Sequence, residues 1–439
     1  MRQTAISILK RLQEAGFTAY FAGGCVRDSL LGKEPKDYDI ASNATPDQIL
    51  EIFPDGDTIG AHFGVILVRR SGYHFEIATF RQDGDYSDGR RPDSVSFSDA
   101  ENDAKRRDFT VNGLFENPVS GEVIDFVGGK IDLENQCLRA IGDPAKRFDE
   151  DYLRLLRAVR FATTLNFKIE ESTWRAIEIE APNIQQMAPE RIREELDRIW
   201  KHPNRVAGFD RLVESGLMAA IIPEILDLQG CEQPPQFHPE GDVFVHTRMM
   251  LGLLPADASL PLVLSVLFHD IAKPATQTYD PAEDRIRFNG HDKVGAEMTT
   301  AILKRLKYSN EIIDATVSGV SHHMEFMNVK QMRVATLKRF MARDTFDDEL
   351  ALHRVDCLGS NGNLGNYDFL LEKREEFAKE PIIPKPFLNG RDLISRGFPS
   401  GPGMGKILRE AQDLQLDGVL KSREESLEWL EEKLGELQQ

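Results

Sequence analysis

Periodicity changes once along this chain, near Asp149, and that change limits the fold to a two-part plan. Before it, short apolar runs alternate with helical stretches. An amphipathic helix over residues 4–14 leads into a strand at 19–22, Gly23-Gly24 ends the strand, and a second helix runs to Leu31. Further strands are expected at 38–40, 65–68, 74–80, 95–97, 123–126 and 138–141, with Ser71-Gly72 as a hairpin turn between two of them. After Asp149 nearly every segment has helical period, broken by Pro and Gly. The expected class is an α/β head followed by an all-α neck, body and tail. Breaks at 183–189, in the Pro/Gly-rich 230–241 and in the proline-rich 381–387 suggest a head at 1–145, a neck at 146–230, a body at 240–375 and a tail at 380–439. A polar, turn-rich loop is expected over 83–92.

Charge and cysteine content narrow the function classes. The net charge of −18 argues against a generic nucleic-acid binder, because phosphate contacts require Lys and Arg. Yet basic residues cluster locally at Arg90-Arg91, Lys105-Arg106-Arg107, Arg154/Arg157/Arg160 and Arg191/Arg193, and an acidic protein with a basic channel can bind RNA in one place. Cys25, Cys137, Cys231 and Cys357 have no paired spacing, which suits a reducing, cytoplasmic compartment and neither a disulfide framework nor a Cys zinc site. No apolar run has membrane-spanning length, so no membrane association is expected. A monomer is the expected state.

Asp37-x-Asp39, read as part of a strand, presents two carboxylates on one face. Alone, the pair reads most simply as a solvated turn. Its neighbours change the reading. Gly23-Gly24 ends a strand and opens a helix, which lets backbone approach a phosphate, and Arg27 sits in the first helical turn. Neither a Rossmann nor a Walker pattern is present. Together, Gly24, Arg27, Asp37 and Asp39 suggest a triphosphate site in which divalent metal offsets the paired anions.

The stretch 149–165 reads as one helix in which Asp151 and Arg154, three apart, share a face, and Arg157 and Arg160 continue a ladder. Intrahelical ion pairing on a solvated face explains such a ladder. A second reading has chemical content. Cytosine and adenine each show an amino donor beside a ring-nitrogen acceptor, and guanine and uracil show the reverse. A carboxylate beside a guanidinium therefore accepts CTP and ATP and rejects GTP and UTP.

In order and spacing, six motifs resemble the class II tRNA nucleotidyltransferases, that is, the bacterial CCA-adding enzymes and their poly(A) polymerase relatives, which belong to the DNA polymerase beta superfamily. They are Gly23-Gly24-Cys25-Val26-Arg27-Asp28, Asp37-Tyr38-Asp39-Ile40-Ala41, the loop 83–92, Arg106-Arg107-Asp108-Phe109-Thr110-Val111-Asn112, residues 150–161, and Glu190-Arg191-Ile192-Arg193-Glu194-Glu195-Leu196. The resemblance implies a DNA polymerase beta-like head that adds CCA to the 3′ end of tRNA from CTP and ATP. It implies Mg²⁺ on Asp37 and Asp39, with Glu76 as a third carboxylate. It implies triphosphate contacts from Gly24 and Arg27, nucleotide contacts from Arg107, Arg157 and Arg160, and base reading by Asp151 and Arg154. The loop 83–92 would serve the switch from C to A addition.

The helical body carries a second constellation. His246, His269-Asp270 and Asp356 resemble the four-residue core of an HD-domain metal phosphohydrolase, with His291 and one of His322 and His323 as accessory ligands. This implies a second divalent metal, in either an active phosphohydrolase or a structural part of a tRNA-binding body. The remaining alternatives are an A-adding enzyme, a poly(A) polymerase, a chain that is chiefly an HD phosphohydrolase, and a non-catalytic RNA-binding protein. The last has no need of Asp37 and Asp39.

Overall fold

The computed structural model describes residues 1–58, 64–84, 95–233, 241–378 and 381–437. The loop expected over 83–92 lies outside them from residue 85 onward, as does most of the linker at 230–241. The chain divides into two compact units, Met1–Leu226 and Asp227–Gln439.

In the first unit the strands are β1 (Ala19–Ala22), β2 (Ile40–Ser42), β3 (Val65–Arg70), β4 (Tyr73–Thr79), β5 (Arg81–Asp83), β6 (Val95–Phe97), β7 (Leu114–Asn117), β8 (Glu122–Asp125), β9 (Cys137–Leu138) and β10 (Lys168–Ile169). Six form one mixed sheet in the order β3-β4-β2-β1-β7-β8, while β5 pairs with β6 and β9 with β10. Within the six-stranded sheet, β2 and β4 run parallel, with Ile40 level with Ile77. Carrying that register one residue back sets Asp39 beside Glu76. The helix Arg2–Glu14 buries Ala5, Ile8, Leu9 and Leu12, the stripe that helical period requires. Each such buried leucine or isoleucine contributes about 1.5–3 kcal/mol. The β3–β4 turn is the expected hairpin, with Ser71 and Gly72 at φ 51° and 77°.

Three sequence expectations change. Residues 37–39 are extended but precede β2, which begins at Ile40. A bond from the Ala22 N–H to the Asp39 carbonyl ties them to the sheet. The stretch 149–165 is two helices, Pro144–Glu150 and Leu153–Leu165, separated at Asp151, whose φ of −155° is not helical. And β7, Leu114–Asn117, which was not among the expected strands, completes the sheet beside β1.

The second unit is largely helical, with one hairpin of β11 (Thr278–Asp280) and β12 (Arg285–Arg287) that helical period did not foretell. The helix Leu260–Phe268 is buried at Leu260 and from Leu262 through Phe268, so it is a core helix. The Ser259 hydroxyl caps its start by accepting from the Leu262 N–H. Its far end delivers His269 and Asp270 to the interior. Among the described residues no helix is long and apolar enough to cross a membrane.

Candidate active site and metal centre

In the first unit the turn after β1 is fixed by Gly23, which caps the helix Gly24–Leu30 with φ 72° and ψ −123°. A side chain there would be strained, and its Cβ would lie 2.7 Å from Arg107 Nη1. Gly24 is less demanding: a Cβ would meet Arg27 Nη2 at 3.7 Å. Gly23→Ala is expected to cost about 1–3 kcal/mol of stability and to displace Arg107. Thermal unfolding together with the KM for nucleotide checks both effects.

Arg27 is buried and held by two partners. Its Nη1 donates to Asn112 Oδ1 at 2.6 Å, its Nε donates to Asp28 Oδ1 at 2.8 Å, and it lies over the Phe161 ring. Arg107 donates to Asp103 and to the Asn112 carbonyl. The carboxylates gather opposite these cations. Asp39 is reachable by solvent, but the protein around it removes much of its hydration. That desolvation, with the negative charge of Asp37 and Glu76, raises Asp39 to about 6, against the pull of Arg107. A carboxyl raised by neighbouring anions is one that a divalent cation would relieve.

The arginine ladder is not a set of intrahelical pairs on a solvated face. Asp151 leaves the helix, accepts from the Leu153 N–H at 3.0 Å, and is gripped by Arg191 at 2.9 and 3.3 Å. Arg154 pairs with Glu150 and donates to the Arg147 carbonyl. Arg157 forks onto Asp108 at 2.6 and 2.9 Å and holds that carboxyl well below its usual range despite its burial. Arg160 pairs with the buried Glu195 and packs on Phe161, and burial lowers it to about 10. Asp151 and Arg154 therefore stand near one another, tied by a backbone bond from the Arg154 N–H to the Asp151 carbonyl, while their side chains have separate supports, Arg191 for one and Glu150 for the other. Sequence reasoning missed the supports Asp108, Asn112, Glu150, Arg191 and Glu195. For Glu150 the i,i+4 spacing to Arg154 was the available signal.

In the second unit the histidines converge. His246, His269 and Asp356 form one group whose ligand atoms lie within 4.8 Å of one another, and Asp270, His291 and His323 form another. Of the two adjacent histidines, His323 is the one that joins the second group. His322 turns away to Ser318 and Glu349. Four rings set their Nδ1 against backbone carbonyls: His246 on Gly359 at 3.3 Å, His269 on Val266 at 2.9 Å, His291 on Phe288 at 2.7 Å and His323 on Val320 at 2.6 Å. With each Nδ1–H donated, each Nε2 carries a lone pair. His291 Nε2 and His323 Nε2 then face each other as two acceptors 3.0 Å apart, and His246 Nε2 faces Asp356 Oδ1 at 3.1 Å. Two nitrogens bound at right angles to one cation at about 2.1 Å would be about 3.0 Å apart. His269 Nε2 is buried without an aligned hydrogen bond, although Asp270 Oδ2 is 3.1 Å away. These residues fit a divalent metal. Burial pushes His323 down to about 4, which leaves it neutral and free to ligate. The Lys273 ammonium, 2.6 Å from Asp270 Oδ2, helps hold that carboxyl well below its usual range against the effect of burial.

Comparison with known proteins adds three matches and several relatives. Residues 19–139 match the poly A polymerase head domain, 166–228 the probable RNA and SrmB-binding site of polymerase A, and 243–356 the HD domain. The CCA-adding enzyme of Latilactobacillus sakei subsp. sakei (strain 23K) is 39% identical over 413 residues, which is 92% of this chain and 91% of that protein. That of Lactobacillus helveticus (strain DPC 4571) is 39% identical over 426 residues, 97% and 95% of the two chains. The solved CCA-adding enzyme of Bacillus stearothermophilus in complex with CTP is similar with a TM-score of 0.78 at 25% identity, over 99% of this chain and 98% of that one.

Proposed function

The chain belongs to the family of the CCA-adding enzymes, and from that membership we infer that it is a nucleotidyltransferase that adds C, C and A to the 3′ end of tRNA from CTP and ATP. Dependence on a divalent metal comes with the family and with the HD domain. We assign Mg²⁺ to Asp37 and Asp39, with Glu76 as the third anion. The raised Asp39 carboxyl, pressed by its two acidic neighbours and faced by Arg107, carries the assignment.

Bound metal would supply activation of the terminal ribose 3′-hydroxyl and neutralisation of the departing pyrophosphate. The chain's own residues do the rest. The turn at Gly23 and Gly24 brings backbone close to the triphosphate, and Arg27 and Arg107 offer guanidinium donors to its oxygens. Arg157 and Arg160 hold the nucleotide helix in place. Asp151 accepts from the exocyclic amino group of C or A, and Arg154 donates to the ring nitrogen beside it. The division into head, neck, body and tail at 1–145, 146–230, 240–375 and 380–439 is our assignment, as are monomeric state and cytoplasmic location. The free cysteines support the last.

The decisive experiment incubates the protein with tRNA lacking CCA, or lacking only the terminal A, and with CTP and ATP singly and together. A ladder of C, CC and CCA supports the reading. Incorporation of A alone, on the second substrate only, would replace it with A addition.

A second reading, a metal phosphohydrolase in the second unit, is favoured by the two His/Asp groups, His246 with His269 and Asp356, and Asp270 with His291 and His323, and by the Nε2 lone pairs of His291 and His323 that face each other. Asp270→Ala is expected to remove bound divalent metal from that unit and with it any phosphate-ester hydrolysis, while CMP incorporation persists. Metal content per chain, measured beside both assays, tests this. Loss of incorporation together with hydrolysis would refute the separation of the two sites.

A further inference from the structure

A fifth histidine of the second unit, His353, differs from the four described above. It lies on the helix Phe346–Gly359 one turn before Asp356, so His353, Asp356 and Cys357 share a face. That face lines a cavity of about 500 Å³ together with Asp270, His291 and His323. His353 is almost fully buried, at 6% exposure. Its ring stacks on Phe326, with centroids 4.8 Å apart and planes at 22°, which fixes the ring plane. The four presumptive ligands each spend one ring nitrogen on a backbone carbonyl. His353 does not. Among the described residues its nitrogens meet the weakly bonding Cys357 thiol, 3.6 Å from Nε2 and 3.8 Å from Nδ1.

A held imidazole that faces a cavity, and lacks the backbone bond that orients a metal-binding histidine, has donor capacity to spare. We propose that His353 is a substrate-contacting residue of the second unit, donating an N–H to an oxygen of a phosphate ester bound beside the two histidine–aspartate groups. The proposal rests on the phosphohydrolase reading of that unit. It does not depend on the protonation state of the ring, because imidazole and imidazolium both have an N–H to give. The Lys273 ammonium, which lines the same cavity and sits 2.6 Å from Asp270 Oδ2, adds positive charge suited to the same anion. No bond to His353 is made or broken during hydrolysis: the water oxygen bonds to phosphorus as the phosphorus–ester oxygen bond breaks, a proton of that water ends on the departing alcohol, and His353 holds a phosphoryl oxygen in place.

The test uses the full chain loaded with Mn²⁺, p-nitrophenyl phosphate as substrate and inorganic phosphate as inhibitor. His353→Phe keeps the stack on Phe326 and loses the donor, and His353→Gln restores a donor. The Phe variant is expected to raise KM and the phosphate inhibition constant about tenfold, the effect of one lost hydrogen bond. Its metal content and melting temperature should stay those of the wild type, and the Gln variant should recover most of the loss. In the wild type loaded with diamagnetic Mg²⁺ in place of Mn²⁺, phosphate should shift the His353 ring resonances, identified by their absence from His353→Gln, and this readout survives if the Phe variant does not fold. Unchanged phosphate affinity in the Phe variant, or resonances that phosphate does not move, would reduce His353 to a packing residue. Metal loss matching that of Asp270→Ala would make it a ligand and overturn the proposal. A wild type that neither holds Mn²⁺ in this unit nor hydrolyses the ester would remove the phosphohydrolase reading itself.

Discussion

Asp39→Asn is expected to lower CMP incorporation by about a thousandfold or more and, in metal-free buffer at neutral pH, to raise the melting temperature. The two effects have one cause. In the folded protein Asp39 titrates near 6, up from 3.8, because it is desolvated and pressed by Asp37 and Glu76. The folded state therefore binds a proton more tightly than the unfolded state. Stability falls as pH rises from about 4 to about 6 and stays reduced above that. Asparagine removes the penalty and also removes the charge that would hold the metal. The size of the gain is discounted because Asp39 is reachable by solvent. Two measurements check the account: thermal unfolding of wild type and variant at pH 5 and pH 7.5, with and without Mg²⁺, and incorporation at pH 7.5. Mg²⁺ should stabilise the wild type more at the higher pH and leave the variant nearly unmoved. A variant that incorporates CMP at the wild-type rate would sink the site assignment.

Arg154→Ala should be the most damaging substitution for base choice. A site built to hydrogen-bond a particular edge rejects the wrong base because buried polar groups are left unpaired. Removing the donor is expected to cut the preference for CTP over UTP by about a hundredfold, at 1–3 kcal/mol for each well-made bidentate pair. Asp151→Ala should act in the same direction. Arg191→Ala offers an internal control. Arg191 grips Asp151 from the helix Pro189–Trp200 and is expected to loosen selection without touching the base. Competition between CTP and UTP on tRNA lacking CCA reads all three. Equal CTP:UTP ratios in wild type and Arg154→Ala would show that the base is read elsewhere.

Local signals made much of this legible. The helix Arg2–Glu14 and the hairpin at Ser71-Gly72 follow from periodicity and turn chemistry, which act over a few residues. The boundary at Asp151 was not legible. Hydrophobic period continues through it, and what ends the helix is a carboxylate turned to cap the next one and held by Arg191, forty residues later. The hairpin β11–β12 was hidden because Thr278–Asp280 and Arg285–Arg287 carry one large apolar side chain each, Tyr279 and Ile286, too few to mark a buried face.

The sequence by itself determined which chemical groups exist and in what order: paired Asp37 and Asp39, cations at Arg27 and Arg107, the carboxylate and guanidinium of Asp151 and Arg154, and a histidine set in the helical body. Tertiary structure decided what each group faces. It set Glu76 beside Asp39 through the parallel register of β2 and β4. It gave Arg157 to Asp108 and Arg160 to Glu195. It turned His323 inward and His322 outward, although the two are adjacent in the chain. The physical reason is range. Propensity and period are properties of neighbours in sequence, whereas a shifted carboxyl or a pair of opposed lone pairs arises only where distant segments are packed within a few ångströms and water is excluded.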